Sequence, residues 1–128
     1  MNELNTQLEQ DIISSLSIFF PCYNEKDSIR SLTEKAITVA KEIGCDFEII
    51  LVNDGSTDTS WQEILALSEE NSRVLGINLM RNYGQHNALL CGIRAASREV
   101  IITMDDDLQH RPEDIPILLA ALEAGYDV

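Results

Sequence analysis

The sequence has few basic residues and no long apolar segment. Nine Lys and Arg residues stand against 22 Asp and Glu residues, which gives a net charge of −13 at pH 7. This balance repels nucleic acid, and no basic run is present that could bind a phosphate backbone or an anionic lipid surface. No apolar run approaches the ~20 residues that cross a bilayer. We therefore expect no nucleic-acid partner and a chain that is soluble in the cytoplasm.

Cysteine is also scarce. Cys22, Cys45 and Cys91 are an odd number without a CxxC spacing, which argues against a disulfide framework or a zinc site and fits a reducing cytoplasm. The first residues are polar and lack the basic start and apolar stretch of a signal peptide. We expect residues 1–15 to be a polar N-terminal extension and residues 16–128 to be one folded unit.

Four short β-rich runs alternate with four helical patterns in the remaining sequence. The runs cover residues 16–20, 47–52, 74–79 and 100–104. The second and fourth runs are almost continuously apolar, which is typical of strands that are buried on both faces of a parallel sheet. Because crossovers between parallel strands are right-handed, the alternation predicts a doubly wound α/β fold with a mostly parallel sheet.

The helical patterns carry recognisable start and stop signals. Apolar residues recur at helical spacing after the first strand until Gly44, which predicts the end of the first helix. The second helix is predicted to begin at Ser60-Trp61-Gln62-Glu63, which has the capping-box form. The third helix is predicted at about 85–96, where small residues such as Gly92 allow close approach to the sheet. Pro112 occupies a favourable first position for the fourth helix.

The last three residues have the pattern of a fifth strand. Tyr126, Asp127 and Val128 follow Gly125, which should end the fourth helix. We therefore expect the chain to be the N-terminal portion of a longer domain. An incomplete sheet presents an unpaired edge, which favours self-association.

Three adjacent carboxylates follow the fourth strand. Ligands of open parallel sheets bind beyond the carboxyl ends of the strands, and Asp105, Asp106 and Asp107 stand at such an end. In an extended segment alternate side chains share a face, so Asp105 and Asp107 could meet one cation, with Gln109 on the same side. Mg²⁺ and Mn²⁺ prefer such oxygen ligands. The alternative is an acidic loop that caps the next helix.

Two other strand ends carry polar residues. Asp54, after the second strand, could accept a hydrogen bond from a ring N–H of a nucleobase, or could be part of a simple strand-to-helix turn. After the first strand, Tyr23 offers an aromatic face and Glu25 offers an acceptor for a base or a ribose. The alternative there is a turn in which Asn24 caps the first helix.

Four segments, taken in order, resemble family 2 glycosyltransferases with the GT-A fold: FFPCYNE, LVNDGSTD, RNYGQHNALLCGI and ITMDDDLQHRPEDIP. The resemblance extends over residues 16–128. It is closest to polyprenyl-phosphate sugar transferases such as dolichol-phosphate mannose synthase and the undecaprenyl-phosphate aminoarabinose transferases. It implies a substrate site that contains Pro21, Tyr23, Glu25, Asp54 and Asp105. It also implies a Mg²⁺ or Mn²⁺ ion at the donor diphosphate, held by Asp105, Asp107 and Gln109.

Two positions depart from the pattern of the family. The middle residue of the Asp-x-Asp motif is usually small in relatives, whereas here it is Asp106. Asp106 could therefore replace Asp105 or Asp107 as a metal ligand. Gln85 stands where many relatives have a basic residue, so the resemblance implies no phosphate contact at that position.

The resemblance implies an inverting glycosyltransferase. It would move a sugar from a UDP- or GDP-linked donor to a polyprenyl-phosphate acceptor, at the cytoplasmic face of a membrane in the full-length protein. The acceptor side and any catalytic base would lie beyond Val128. The alternative within the family is a soluble enzyme that acts on a saccharide hydroxyl in cell-wall or polysaccharide synthesis.

A receiver-type signalling domain is the rival from another class. It has a similar length and the same alternation of strands and helices. It needs an acidic pair after the first strand and a phosphorylatable aspartate after the third. Residues 21–23 and 80–82 occupy those positions with the sequences PCY and MRN, which argues against this function.

Overall fold

A four-stranded parallel sheet forms the centre of the part of the chain that the structure describes. The computed structural model describes residues 15–24, 26–79, 91–98, 100–104 and 111–123. The strands are β1 (Ser15–Cys22), β2 (Asp46–Asp54), β3 (Val74–Leu79) and β4 (Val100–Thr103), in the order β3-β2-β1-β4. The helices are α1 (Ile29–Ile43), α2 (Ser60–Glu70), α3 (helical residues 91–95) and α4 (Ile115–Glu123), the last preceded by a 3₁₀ turn at Pro112–Asp114. The predicted α/β fold with a parallel sheet is confirmed.

Two strands extend further than their apolar runs indicated. β1 continues to Cys22 and β2 continues to Asp54, because the pairing between them proceeds through Pro21–Val52 and Cys22–Asn53. β2 also pairs with β3 up to its last residue, Asp54, which lies beside Leu79. The polar end of β2 is therefore part of the sheet and not of a free loop.

The larger core lies on one face of the sheet, where α1, α2 and α4 pack against it. The strands contribute alternate residues, and the helices contribute their apolar faces. Its buried members include Leu16, Ile18, Phe20, Ile49, Leu51, Ile29, Ala36, Ile64, Leu67, Ile115 and Leu119. Among the described helices, none is long and apolar enough to cross a membrane.

The opposite face of the sheet carries a smaller core. Phe19, Ile50 and Val52 are fully buried there, and Ala95 and Ala96 pack against them. Gly92 of α3 approaches the sheet so closely that a Cβ atom at this position would overlap the ring of Phe19. The expectation that a small residue permits this approach is confirmed. The remainder of the third predicted helix, 85–90, lies outside the described residues.

The helix ends agree with the sequence signals in part. α1 ends as predicted, because Gly44 adopts a left-handed conformation with φ of 84° and donates its N–H to the carbonyl oxygen of Ala40 at 3.1 Å. Pro112 occupies the first position of the 3₁₀ turn that leads into α4, as the pattern indicated.

The predicted capping box of α2 is wrong. Ser60 is the first helical residue and not the cap, and Thr59 before it makes no side-chain capping bond. The Asp58 carboxylate instead accepts hydrogen bonds from the backbone N–H of Ser60, at 2.9 Å, and from its hydroxyl. Asp58 precedes Ser60 by two residues, and its short side chain reaches the Ser60 N–H directly. Glu63 follows Ser60 by three residues and would have to reach back to the same N–H.

Glu48 holds the amino-terminal edge of the sheet together. Its carboxylate accepts hydrogen bonds from the Ser17 hydroxyl at 2.6 Å, the Ser97 N–H at 2.7 Å and the Ser97 hydroxyl at 3.1 Å. Burial alone would raise the pKa of Glu48, but the hydrogen bonds from Ser17 and Ser97 outweigh burial and lower it. The carboxylate thus joins β1 and β2 to the segment that enters β4.

Candidate functional site

The carboxyl ends of β1, β2 and β4 lie side by side at one edge of the sheet. Cys22 at the end of β1 pairs with Asn53 near the end of β2. On the other side of β1, the N–H of Met104, directly after β4, donates to the carbonyl oxygen of Phe19 at 2.8 Å. The segments that follow these three strands therefore leave the sheet at neighbouring points, as expected of a ligand site in a parallel sheet.

Pro21 and Asp54 lie on the same face of this edge. Pro21 pairs with Val52, and Asp54 follows Val52 by two residues, which returns its side chain to the same face. Asp54 is only 5% exposed, whereas Tyr23, one residue beyond β1, is 44% exposed. The edge therefore combines a buried carboxylate with an accessible aromatic ring.

Asn53 connects the ends of β2 and β3. Its side-chain NH₂ donates to Oδ1 of Asn78 at 2.8 Å, and its Oδ1 accepts the N–H of Ser56 at 3.3 Å. Asn53 is 3% exposed, so these bonds satisfy a polar side chain that is almost fully removed from water. They fix the turn after β2 relative to both strands.

Asn24 connects the segment after β1 to the segment after β2. Its backbone N–H donates to the Ser56 hydroxyl oxygen at 2.9 Å, and its Oδ1 accepts the N–H of Thr57 at 2.9 Å and the Thr57 hydroxyl at 3.4 Å. The prediction that Asn24 could cap α1 is wrong, because the capping position belongs to Ser28, four residues later. Asn24 forms tertiary contacts instead.

The turn after β2 is shaped by a glycine and by Asp58. Gly55 has φ of 67°, a left-handed conformation that glycine adopts without steric cost. The hydrogen bond from the Ser60 side chain lowers the pKa of Asp58 below its usual range, so this carboxylate stays ionised at the start of α2. Its negative charge is favourable at a helix N-terminus.

Three of the predicted site residues fall within the described chain. Pro21, Tyr23 and Asp54 all stand at the carboxyl edge of the sheet, on β1, directly after it, and on β2. The other four, Glu25, Asp105, Asp107 and Gln109, lie outside the described residues and remain predictions. Sequence reasoning missed the connecting roles of Asn53 and Asn24; the left-handed tolerance of asparagine was the available signal for Asn24.

The predicted metal ligands, Asp105, Asp107 and Gln109, lie outside the described residues, so the metal site stays a prediction. Within the ranges that the structure describes, no group of three His, Cys, Asp or Glu side chains could hold a metal ion. β4 delivers the chain to the carboxyl edge at Met104, directly before Asp105. The predicted donors are all oxygen atoms, which suit Mg²⁺ or Mn²⁺.

Comparison with known proteins identifies relatives of this fold. A sequence model of glycosyl transferase family 2 matches residues 17–128. Glucosyl-3-phosphoglycerate synthase from Mycobacterium tuberculosis, in complex with Mn²⁺, UDP and phosphoglyceric acid, superposes with a TM-score of 0.70 and 21% identity, over 94% of this chain and 43% of that one. TarS from S. aureus, in complex with UDP-GlcNAc, has a TM-score of 0.65 and 21% identity, over 86% and 31%.

A third similar structure is that of a mannosyltransferase. The mannosyltransferase PcManGT from Pyrobaculum calidifontis, in complex with GDP-Man and Mn²⁺, has a TM-score of 0.60 and 21% identity, over 72% of this chain and 27% of that one. At this identity the likeness establishes the fold alone. The chain spans less than half the length of each of these three proteins.

Proposed function

The chain belongs to glycosyl transferase family 2 and has the GT-A fold, and from this premise we propose that it binds the nucleoside-diphosphate sugar of an inverting sugar-transfer reaction. The observation that carries the proposal is the placement of Pro21, Tyr23 and Asp54 at one carboxyl edge of the sheet. Residues 16–128 form the donor-binding part, and the acceptor side belongs to a further part of a longer enzyme.

The nucleobase is recognised by Asp54 and Tyr23. Uracil and guanine both present a ring N–H, which the Asp54 carboxylate accepts, while the exposed Tyr23 ring packs against the face of the base. Because Asp54 is almost fully buried, this hydrogen bond forms away from water, where it is electrostatically stronger. The UDP-, UDP-GlcNAc- and GDP-Man-containing structures of proteins with the same fold support a ligand of this class.

In this proposal Asp105, Asp107 and Gln109 would hold a divalent cation at the donor diphosphate. The Mn²⁺ in two of the three similar structures supports this assignment, as does the all-oxygen donor set. A cation bound there would neutralise the negative charge that develops on the leaving nucleoside diphosphate. Without it, these carboxylates would repel the phosphates.

The acceptor is a polyprenyl phosphate. The motif resemblance to lipid-phosphate sugar transferases supports this choice. Such an acceptor is already an anion near neutral pH, so positioning it in line with the donor suffices and no base is needed. The second candidate is a hydroxyl acceptor, which would need a carboxylate base. The M. tuberculosis structure favours it, because it contains phosphoglyceric acid, a small hydroxyl-bearing molecule.

Substitution of Asp54 tests the donor site. Asp54→Ala should weaken UDP or GDP binding by about 1.5–3 kcal/mol, the contribution of a hydrogen bond to a charged group, and should leave the binding of a bare sugar phosphate almost unchanged. Calorimetry in the presence of Mn²⁺ measures both affinities. Asp27→Ala, an exposed aspartate before α1, is the control. Unchanged nucleotide affinity in a folded Asp54→Ala variant would contradict the assignment.

A transfer assay tests the division between donor and acceptor sides. Labelled UDP- and GDP-sugars are incubated with the 128-residue chain and with either short polyprenyl phosphates or oligosaccharides, and the products are separated by chromatography. We expect donor binding and slow hydrolysis, but no sugar transfer. Transfer to either acceptor would show that acceptor contacts lie within residues 16–128, and the acceptor that is used would identify its class.

A further inference from the structure

We propose that Asn24 is a positioning residue that sets the relative placement of Tyr23 and Asp54. It does so through the Asn24 bridge, defined as its three hydrogen bonds to Ser56 and Thr57. The inference rests on the proposed function, since it assigns a role in nucleotide binding. It goes beyond that function because Asn24 itself contacts neither base nor metal in this assignment.

The bridge uses both the backbone and the side chain of Asn24. The N–H points to the Ser56 hydroxyl at 2.9 Å, and the side-chain oxygen receives the Thr57 N–H at 2.9 Å. The two partners are 32 and 33 residues away in sequence. These contacts therefore close the gap between two segments that strand pairing does not connect beyond Cys22 and Asn53.

The backbone conformation of Asn24 explains why asparagine serves here. Its φ of 53° makes it the one non-glycine residue with positive φ in the described chain. Asparagine enters the left-handed region more readily than other residues that carry a Cβ atom. In this conformation both the N–H and Oδ1 of the residue can meet the β2–α2 turn. Glycine would tolerate the backbone but would lack the acceptor.

The bridge continues into a longer chain of hydrogen bonds. Ser56 accepts from Asn24 and donates its N–H to Asn53, and Asn53 donates to Asn78. The segments after β1 and β2 and the end of β3 are thus connected without a break. These hydrogen bonds to the ends of β2 and β3 would resist a displacement of the segment after β1.

This arrangement prepares the edge of the sheet for a ligand. Tyr23 directly precedes Asn24, and Asp54 directly follows Asn53, so the two proposed base contacts flank the two connecting asparagines. Holding both contacts in place before binding reduces the ordering cost of the complex. The bridge itself is exposed and lies outside the hydrophobic core, so its loss should affect affinity more than stability.

Three variants separate the contributions. Asn24→Ala removes the acceptor and disfavours positive φ, Asn24→Gly removes only the acceptor, and Asn24→Asp keeps the acceptor and the tolerance of positive φ. We expect the affinity for UDP or GDP to fall about tenfold in Asn24→Ala, which corresponds to ~1.4 kcal/mol, and less in Asn24→Gly. The affinity of Asn24→Asp is measured with uridine or guanosine, which carry no phosphate. It should be close to the affinity of the unmodified chain for the same nucleoside.

Amide hydrogen exchange tests the bridge without any nucleotide. The Thr57 N–H should exchange faster in Asn24→Ala and Asn24→Gly than in the unmodified chain or in Asn24→Asp, while core amides of β1 and β2 remain protected. Unchanged Thr57 exchange would show that the bridge does not form. Lost Thr57 protection with unchanged nucleotide affinity would overturn the positioning role. If the unmodified chain binds no nucleotide, the proposed function is overturned, and the positioning role with it. The exchange measurement would still decide whether the bridge exists.

Discussion

Replacing Glu48 should cost more stability than its partly exposed position on β2 would indicate. Glu48→Ala removes the acceptor of the Ser17 hydroxyl and of the Ser97 N–H and hydroxyl. Hydrogen bonds to a charged group contribute about 1.5–3 kcal/mol, and an orphaned buried donor costs ~1–3 kcal/mol. Because Ser17 is 0% exposed, its hydroxyl cannot turn to water. We therefore expect Glu48→Ala to lower the free energy of unfolding by about 2–4 kcal/mol and Glu48→Gln by about half of that.

Urea unfolding of four chains measures this effect. The chains are the unmodified protein, Glu48→Ala, Ser17→Ala and the double variant. The double variant should lose less than the sum of the two single losses, with a coupling of about 1 kcal/mol or more, because the Ser17 donor and the Glu48 acceptor form one bond. Glu42→Ala, an exposed glutamate on α1, is the matched control and should change stability by less than ~0.5 kcal/mol.

The pH dependence gives the sign of the Glu48 contribution. The hydrogen bonds lower the pKa of Glu48 below its ordinary value of 4.5. A carboxyl group with a lowered folded-state pKa stabilises the fold fully above the unfolded-state pKa, and this stabilisation is lost as the pH falls through the folded-state pKa. The stability difference between the unmodified chain and Glu48→Gln should therefore shrink in acid. Additive single losses, or a stability difference that grows in acid, would show that the Glu48 carboxylate does not stabilise the fold through its hydrogen bonds.

Three substitutions test other features of the fold by urea unfolding. Gly92→Ala should cost about 1–3 kcal/mol, because the added Cβ would overlap the Phe19 ring; a neutral result would contradict the close packing of α3. Gly44→Ala should cost about 1 kcal/mol through its φ of 84° alone, since a Cβ there meets no atom within 4 Å. Thr33→Val should stabilise by about 1 kcal/mol, because the Thr33 hydroxyl is buried without a partner in the described chain. A loss of stability would instead indicate a water molecule in the adjoining cavity of about 10 Å³.

The sequence was sufficient to predict the order of strands and helices. Apolar runs of strand length, separated by helical patterns, have few other ways to bury their side chains. Gly44 and Pro112 marked helix boundaries because their backbone preferences are local properties. The carboxyl edge of the sheet was predictable as the candidate site, because ligands of open parallel sheets bind beyond the carboxyl ends of the strands.

The missed features depend on contacts between residues far apart in sequence. β2 extends through Asn53 and Asp54 because both neighbouring strands pair with it there, which apolar periodicity cannot reveal. Asn24 resembles a helix cap in sequence and forms a bridge to Thr57 in the structure. The preference of Ser60 for Asp58 over Glu63 likewise depends on the geometry of the turn.

Calorimetry with UDP and GDP, in Mn²⁺ and in chelator, measures whether the chain binds a nucleotide donor through a divalent cation. We expect one of the two nucleotides to bind in Mn²⁺ and to bind at least tenfold more weakly in chelator, because the proposed ligands Asp105 and Asp107 would otherwise repel the diphosphate. Asp107→Asn should remove the metal dependence and leave the unfolding midpoint unchanged. Equal nucleotide affinity with and without metal would contradict the metal site, and no binding of either nucleotide would contradict the donor site as a whole.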